Sequence, residues 1–151
     1  DLLKETRKLG AKTTDTSIDP NNKLSLSEGE LLEDIGSFQK LVGKLIYLTV
    51  TRPDIVHAVS LVSQFMHKPR SSHLQAVDRI LKYLKSSPGR GVLMRRNGNV
   101  AITGYADADW AGNTIDRKST SGYCTFVGGN LVKWRSKKQS VVARSTAEAE
   151  Y

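Results

Sequence analysis

Cysteine is almost missing from this chain: Cys124 is the single one in 151 residues, so no internal disulfide can form and no cysteine-rich metal framework exists. A reducing compartment suits such a sequence. Long apolar runs are missing too. Nothing approaches the roughly 20 consecutive apolar residues of a membrane span, and the opening DLLKETRKLG is charged where a signal peptide carries its apolar segment. The expected setting is therefore intracellular, with no membrane and no disulfide partner. No glycine-rich phosphate loop, GxSxG elbow or paired CxxC occurs. His57, His67 and His73 lack HxxxH or HExxH spacing and read as ordinary helix-surface or helix-end residues. Acidic residues are scarce relative to basic ones, 15 against 23, which gives a net charge of +8 and favours a polyanionic partner such as nucleic acid. What is present, 38% hydrophobic and 25% charged residues, is the balance of a soluble globular protein. The chain starts at Asp1, without Met, and Tyr151 falls inside a helical pattern, so a fragment is expected.

Three stretches differ in pattern. Residues 1–34 mix short apolar groups with turn formers and end in SEGELLED, with four carboxylates, which reads as a loose linker. Over 35–90 the apolar residues recur at helical spacing. Phe38, Leu41, Val42, Leu45, Ile46 and Leu48 mark a first helix that stops near Thr51-Arg52-Pro53. Ile55, Val56, Val59, Val62, Phe65 and Met66 mark a second, closed by Lys68-Pro69. Leu74, Val77, Ile80, Leu81 and Leu84 mark a third, with Ser71 or Ser72 as its cap. From 91 to 151 the pattern turns to strands. VLMRR and VAITGYADADW flank Asn97-Gly98, a hairpin signal, and YCTFV and LVKW flank a second turn at Gly128-Gly129-Asn130. A basic loop then leads to Ser145 or Thr146 and the start of a helix whose acids sit near its positive end.

Strand alternation places Asp107 and Asp109 on one face, where two carboxylates repel unless solvated, hydrogen-bonded or neutralised by a cation such as Mg²⁺. The alternative is a solvated turn in which Asp109 bonds nearby backbone amides. Glu148 and Glu150, two apart on a helix, cannot share a face, so at most one points toward Asp107. Lys133, Arg135, Lys137, Lys138 and Arg144 form an acid-free basic run that contains Trp134 and Gln139, and Arg117-Lys118-Ser119-Thr120 forms a second basic cluster. Either is a candidate for phosphate contacts or simply a solvated face.

The strings LVGKLIYLTVTRPDIVHAVSLVSQFM, HLQAVDRILKYLKSSPGRG, GYADADWAG, DRKSTSGYCTFVGGNLVKWRSKKQ and VARSTAEAEY closely resemble the carboxy-terminal region of plant copia-type retrotransposon Pol polyproteins, over essentially the whole chain. The resemblance implies an α+β fold: a three-helix unit over 35–90 like the thumb and connection of a reverse transcriptase, then a truncated ribonuclease H-like fold over 91–151, with three antiparallel strands and the first turn of a helix. It implies hydrolysis of RNA in RNA/DNA hybrids by a two-metal mechanism. Asp107 matches the family's first-strand aspartate and Glu150 the glutamate of its first helix, so these two are the expected catalytic residues and Mg²⁺ ligands. Asp109 and Glu148 are expected to stay off the metal. The family's two further carboxylates lie on later elements, past Tyr151. No YxDD polymerase motif is present. Ala11-Lys12-Thr13 and Phe38-Gln39-Lys40 depart from the family's usual Cys-Lys-Pro and Tyr-Arg-x.

The chain by itself is thus expected to be inactive, with the rest of the Pol polyprotein and an RNA/DNA hybrid as partners, the latter through Arg117, Lys118, Ser119, Lys137, Lys138 and Arg144. The expected location is cytoplasm, nucleus or a retrotransposon particle, and an organelle-encoded copy fits equally. The alternatives are a non-catalytic nucleic-acid-binding module and a relic retained by a host for an interaction.

Overall fold

Asp34 starts the first long helix by local chemistry. Its carboxylate accepts hydrogen bonds from the Ser37 hydroxyl at 2.5 Å and the Ser37 backbone N–H at 2.9 Å, filling one of the donors that a helix start leaves open. These two bonds hold the Asp34 carboxyl below its ordinary pKa. The computed structural model describes residues 2–19, 24–113 and 115–151. Its elements are α1 (Leu2–Glu5), α2 (Ile35–Leu48), a 3-10 turn (Pro53–Ile55), α3 (Val56–Ser63), α4 (Ser71–Ser86), β1 (Ile102–Ala108), β2 (Thr120–Val127), β3 (Asn130–Lys138) and α5 (Thr146–Glu150). They fall into two compact units, one reaching to Gly91 and the other running from Val92 to Tyr151. The architecture is α+β, with a three-stranded antiparallel sheet in the order β1-β2-β3.

In the first unit the apolar stripes meet as their spacing demands. Phe38, Val42 and Leu45 of α2 pack with Ile55, Ala58, Val59 and Val62 and with Val77, Ile80, Leu81 and Leu84 of α4. Each large aliphatic or aromatic side chain buried this way contributes roughly 1.5–3 kcal/mol. Helix α3 is shorter than its periodicity suggests. It ends at Ser63, and the Phe65 and Met66 amides bond three residues back, to the Val62 and Ser63 carbonyls. Phe65 is still buried.

The cap of α4 differs from the expected serine. The N-cap is Arg70, whose backbone N–H donates to Nδ1 of His73 at 2.9 Å. The serine hydroxyls are engaged by a segment some forty residues upstream: Ser71 Oγ accepts the Glu30 N–H, and Ser72 Oγ donates to the Glu28 carbonyl. That upstream segment, read as a linker, is fastened to the helices. Leu2, Leu3, Ile18, Leu24 and Leu32 rest against the core. Lys8 pairs with Asp78 at 2.7 Å, Lys85 donates to the Ala11 carbonyl, and Ser86 donates to the Thr14 carbonyl. Leu31 bridges to Arg70 as an antiparallel pair. Gly29, at φ +84°, lies so close that a Cβ there would collide with the Ser71 hydroxyl.

In the second unit the turn at Gly128-Gly129 joins β2 to β3 with both glycines at positive φ, as the favoured two-residue hairpin turn requires. The hairpin expected at Asn97-Gly98 does not form, and VLMRR is not a strand. Instead the Arg95 backbone exchanges two hydrogen bonds with the Asn130 carboxamide, at 2.7 and 2.8 Å, and Asn97 donates to the Gly128 carbonyl. The local turn signal gave way to side-chain amides that imitate a ladder. β3 also runs farther than expected, so that Arg135 to Lys138 are strand residues where a loop was anticipated. The buried apolar cluster of this unit is small, made of Ala108, Ala143 and Ala149. Ile102 is 75% and Tyr105 64% exposed, so apolar side chains of the sheet face solvent. No helix among the described residues is long and apolar enough to cross a membrane.

Candidate active site and basic face

The predicted carboxylates lie on or beside two elements, β1 and α5, that are in contact. Ser145 caps α5 by accepting the Glu148 N–H at 3.1 Å, and the Glu148 carboxylate turns back to accept the Arg144 N–H at 2.7 Å. This is a first-turn capping arrangement, in which the Glu148 carboxylate is engaged by the start of its own helix. Ala149 of α5 packs on Ala108 of β1. Gln139 secures the contact, donating from Nε2 to the Ser121 hydroxyl and the Ala149 carbonyl, and Trp110 Nε1 donates to the Ala143 carbonyl at 3.1 Å. Gln139, grouped in the sequence with phosphate-binding candidates, therefore positions the helix.

Asp107 immediately precedes Ala108 and Glu150 immediately follows Ala149 in sequence, and strand alternation turns Asp107 to the sheet face opposite the one on which Ala108 meets Ala149. Both carboxylates are exposed and make no hydrogen bond or ion pair with described residues. Asp109 behaves otherwise. It lies past the end of β1, its carboxylate accepts the Thr120 N–H, and its own N–H donates to the Thr120 carbonyl. The carboxylate is thus satisfied by a backbone amide, but across the strand pair, eleven residues on, and not in a local turn. Among the described residues no group of three or more His, Cys, Asp and Glu side chains is placed to hold a metal ion.

The basic candidates separate by strand register. Lys133, Arg135 and Lys137 pair with Thr125, Tyr123 and Ser121, and these with Gly104, Ala106 and Ala108. Alternation therefore puts the three cations on one sheet face. Lys138 lies on the other face and is bound to Asp116 at 2.9 Å. Burial raises the Asp116 pKa, but bonds from Lys138 and from the Lys118 backbone outweigh it, so the carboxyl sits below its ordinary value. Ser119 corrects the sequence reading. It is fully buried, and its hydroxyl accepts the Ala111 N–H, so it is a loop anchor out of reach of any phosphate. Arg117, at φ +58°, and Arg144 are exposed, and Lys118 is half-buried.

Two polar groups escaped the sequence analysis. Arg52 is 6% exposed; it forks onto Asp54 at 2.7 and 2.9 Å and also donates to the Ser87 carbonyl and hydroxyl. Tyr83 donates to the same Asp54 carboxylate, and Arg90 donates to the Tyr83 hydroxyl. The Arg52 bond lowers the Asp54 pKa against the effect of burial, and Asp54 in turn raises that of Arg52. A charged residue next to a proline at a helix junction was the available signal. His73 is the second. Expected as an ordinary helix-surface or helix-end residue, it lies in the first turn of α4 but is fully buried, stacked on Phe65 at 3.8 Å, with Nδ1 taking the Arg70 N–H and Nε2 2.9 Å from the Ser25 carbonyl. An acceptor at Nδ1 leaves Nε2 as the donor.

Comparison with known proteins adds an independent line. The chain is 46% identical over all 151 residues to the retrovirus-related Pol polyprotein from transposon RE1 of Arabidopsis thaliana, and spans 10% of that protein. It is 42% identical over 118 residues to an uncharacterised mitochondrial protein of the same plant, covering 78% of this chain and 49% of that one. A secreted RxLR effector protein of Plasmopara viticola is 49% identical over 111 residues, 73% of this chain and 78% of the effector. The chain thus spans about a tenth of the length of the Pol polyproteins it matches. No protein-family profile matches it, and no solved structure does.

Proposed function

The chain belongs to the retrovirus-related Pol polyproteins of plant transposons and matches a copia-type Pol segment, and from that premise we propose that residues from Val92 onward form part of a ribonuclease H-type nuclease in which Asp107 and Glu150 hold Mg²⁺. The observation that supports it is the seating of α5 on β1 through Ala149 and Ala108, which joins the two elements that carry the unpartnered carboxylates Asp107 and Glu150. Unpaired carboxylate oxygens are the hard donors Mg²⁺ takes, and that ion completes its shell with water and substrate phosphate. When bound, a metal pair supplies an activated water and charge stabilisation at the leaving oxygen. The chain's own part is placement: Gln139 holds α5, Trp110 holds the segment leading into it, and Asp109 is engaged by Thr120. Two carboxylates are a thin donor set, so these 151 residues alone are proposed to bind metal weakly and to cleave nothing, with the rest of the polyprotein as partner.

Mn²⁺ titration followed by NMR line broadening tests the site without needing turnover. Broadening is expected around Asp107 and Glu150 and is expected to vanish in Asp107→Asn. Broadening that spares both residues, or hybrid cleavage that Asp107→Asn leaves intact, overturns the proposal. A second reading, an interaction module without catalysis, is favoured by one fact: in the Plasmopara viticola effector the matching segment makes up 78% of the protein.

A further inference from the structure

One face of the sheet carries charge of a single sign. Its rows are Gly104/Thr125/Lys133, Ala106/Tyr123/Arg135 and Ala108/Ser121/Lys137, and none contains a carboxylate. Lys133, Arg135 and Lys137 are exposed and form no ion pair among the described residues, whereas Lys138 on the opposite face is tied to Asp116. Lys133 Nζ stands 5.9 Å from the centre of the Tyr123 ring, on the same face. Successive cations are two strand residues apart, about 6.8 Å, of the order of the separation of successive phosphates along an extended strand. β3 is an edge strand, with no described strand beyond it to block approach. The row of cations runs toward Ser121, which Gln139 ties to α5, so it leads to the helix that bears Glu150.

We infer that Lys133, Arg135 and Lys137 form a rail for a nucleic-acid backbone, binding consecutive phosphates without reading bases. Lys138 is not part of it, because its charge is already met. Cations at fixed pitch on a strand lose less freedom on binding than the same charges on a loop. Their grip is electrostatic and scales with counterion release. The inference rests on the nucleic-acid reading of the chain but on neither metal nor cleavage.

Fluorescence anisotropy of the whole chain with a labelled RNA/DNA hybrid, in EDTA and over a range of salt, tests it. Three phosphate contacts imply that Lys133→Gln/Arg135→Gln/Lys137→Gln lowers the magnitude of the log K against log salt slope by about 2–3, at roughly 0.7–0.9 per contact. That is roughly a hundredfold weaker binding at 0.1 M salt, one decade below 1 M, on the same slope. Lys12→Gln/Lys40→Gln/Lys68→Gln removes equal charge from exposed positions of the helical unit and is expected to change the slope by less than one. Equal losses in the two variants, or an unchanged slope in the first, overturn the rail. If the triple variant loses its sheet, as read by amide exchange, each single variant is expected to show a third of the effect, and a flat result there overturns it as well. Because no metal is present, the failure of this test leaves the Asp107 and Glu150 proposal standing, and the reverse holds.

Discussion

The helical unit and the sheet unit are held together in different ways. The first brings apolar stripes of three helices into one buried cluster and locks it with Arg52 between Asp54 and Ser87. The second has three buried alanines as its cluster, while Ile102, Tyr105, Trp110 and Val132 stand in solvent. Its order comes from the antiparallel ladder and from single polar ties such as Gln139 to Ala149. Backbone ladders fix a register and side-chain burial supplies most of the free energy. The contrast separates an element set that stabilises itself from one that displays groups.

The sharpest way to break this contrast is to hollow out the helical core. Leu45→Ala removes a fully buried side chain and is expected to cost about 4 kcal/mol, within the usual range for such truncations. Hydrogen exchange should rise across α2, α3 and α4 and stay unchanged across β1 to β3. Equal loss of protection in both would mean that the two units unfold as one body.

Acid offers a smaller lever, because all three histidines lie in the helical unit. Burial lowers the pKa of His73, against a weaker opposing effect from its bond to Ser25. The unfolded chain therefore takes up a proton before the folded one does. Stability from this group is full above its unfolded pKa of about 6.5 and is lost as pH falls from there through the folded value. Protonation would also put a hydrogen on Nδ1, facing the Arg70 N–H, with the Arg70 charge nearby and Glu28 as the one opposing acid. Urea midpoints of a His57→Gln/His67→Gln variant should fall between pH 7.5 and 5.5 in the helical unit alone. A flat midpoint there, or an equal fall in the sheet unit, would count against the assignment.

The smallest effect belongs to the solvent-facing side of the sheet. Ile102→Thr at a 75% exposed strand position is expected to change stability by less than about 0.5 kcal/mol. A loss above 1 kcal/mol in a thermal melt would show that this face is covered in solution.

Periodicity exposed the helices, because in α2, α3 and α4 burial and 3.6-residue spacing coincide. What it could not expose was anything decided at long range. Ser71 and Ser72 have the composition of caps, yet their hydroxyls bond Glu30 and Glu28, and the cap position fell to Arg70, whose N–H the His73 ring accepts. Asn97-Gly98 is a strong local turn signal, but the Asn97 side chain finds the Gly128 carbonyl 31 residues on. At the site, Asp107 and Glu150 came from the resemblance, and Asp109 bonds a backbone amide as the alternative reading has it, but one eleven residues on and not in a local turn. Ser119 looked like a phosphate contact because a hydroxyl beside two cations carries no mark of burial. The division of Lys137 from Lys138 needed the register of β3, since adjacent strand residues face opposite ways.

The upstream segment clasped to α4 has a consequence in time. Lys8 finds Asp78 across 70 residues, and Lys85 reaches the Ala11 carbonyl across 74. A ribosome extends a chain at about 5–20 residues per second, so the clasping residues emerge roughly 4–14 s before the surface they grip. For that interval the α4 part of the surface that covers Leu2, Leu3 and Ile18 is absent, although α2, whose Lys44 pairs with Glu5, emerges earlier. The amino-terminal stretch is the first part of this unit to be made, and it can complete its contacts only once α4 has followed.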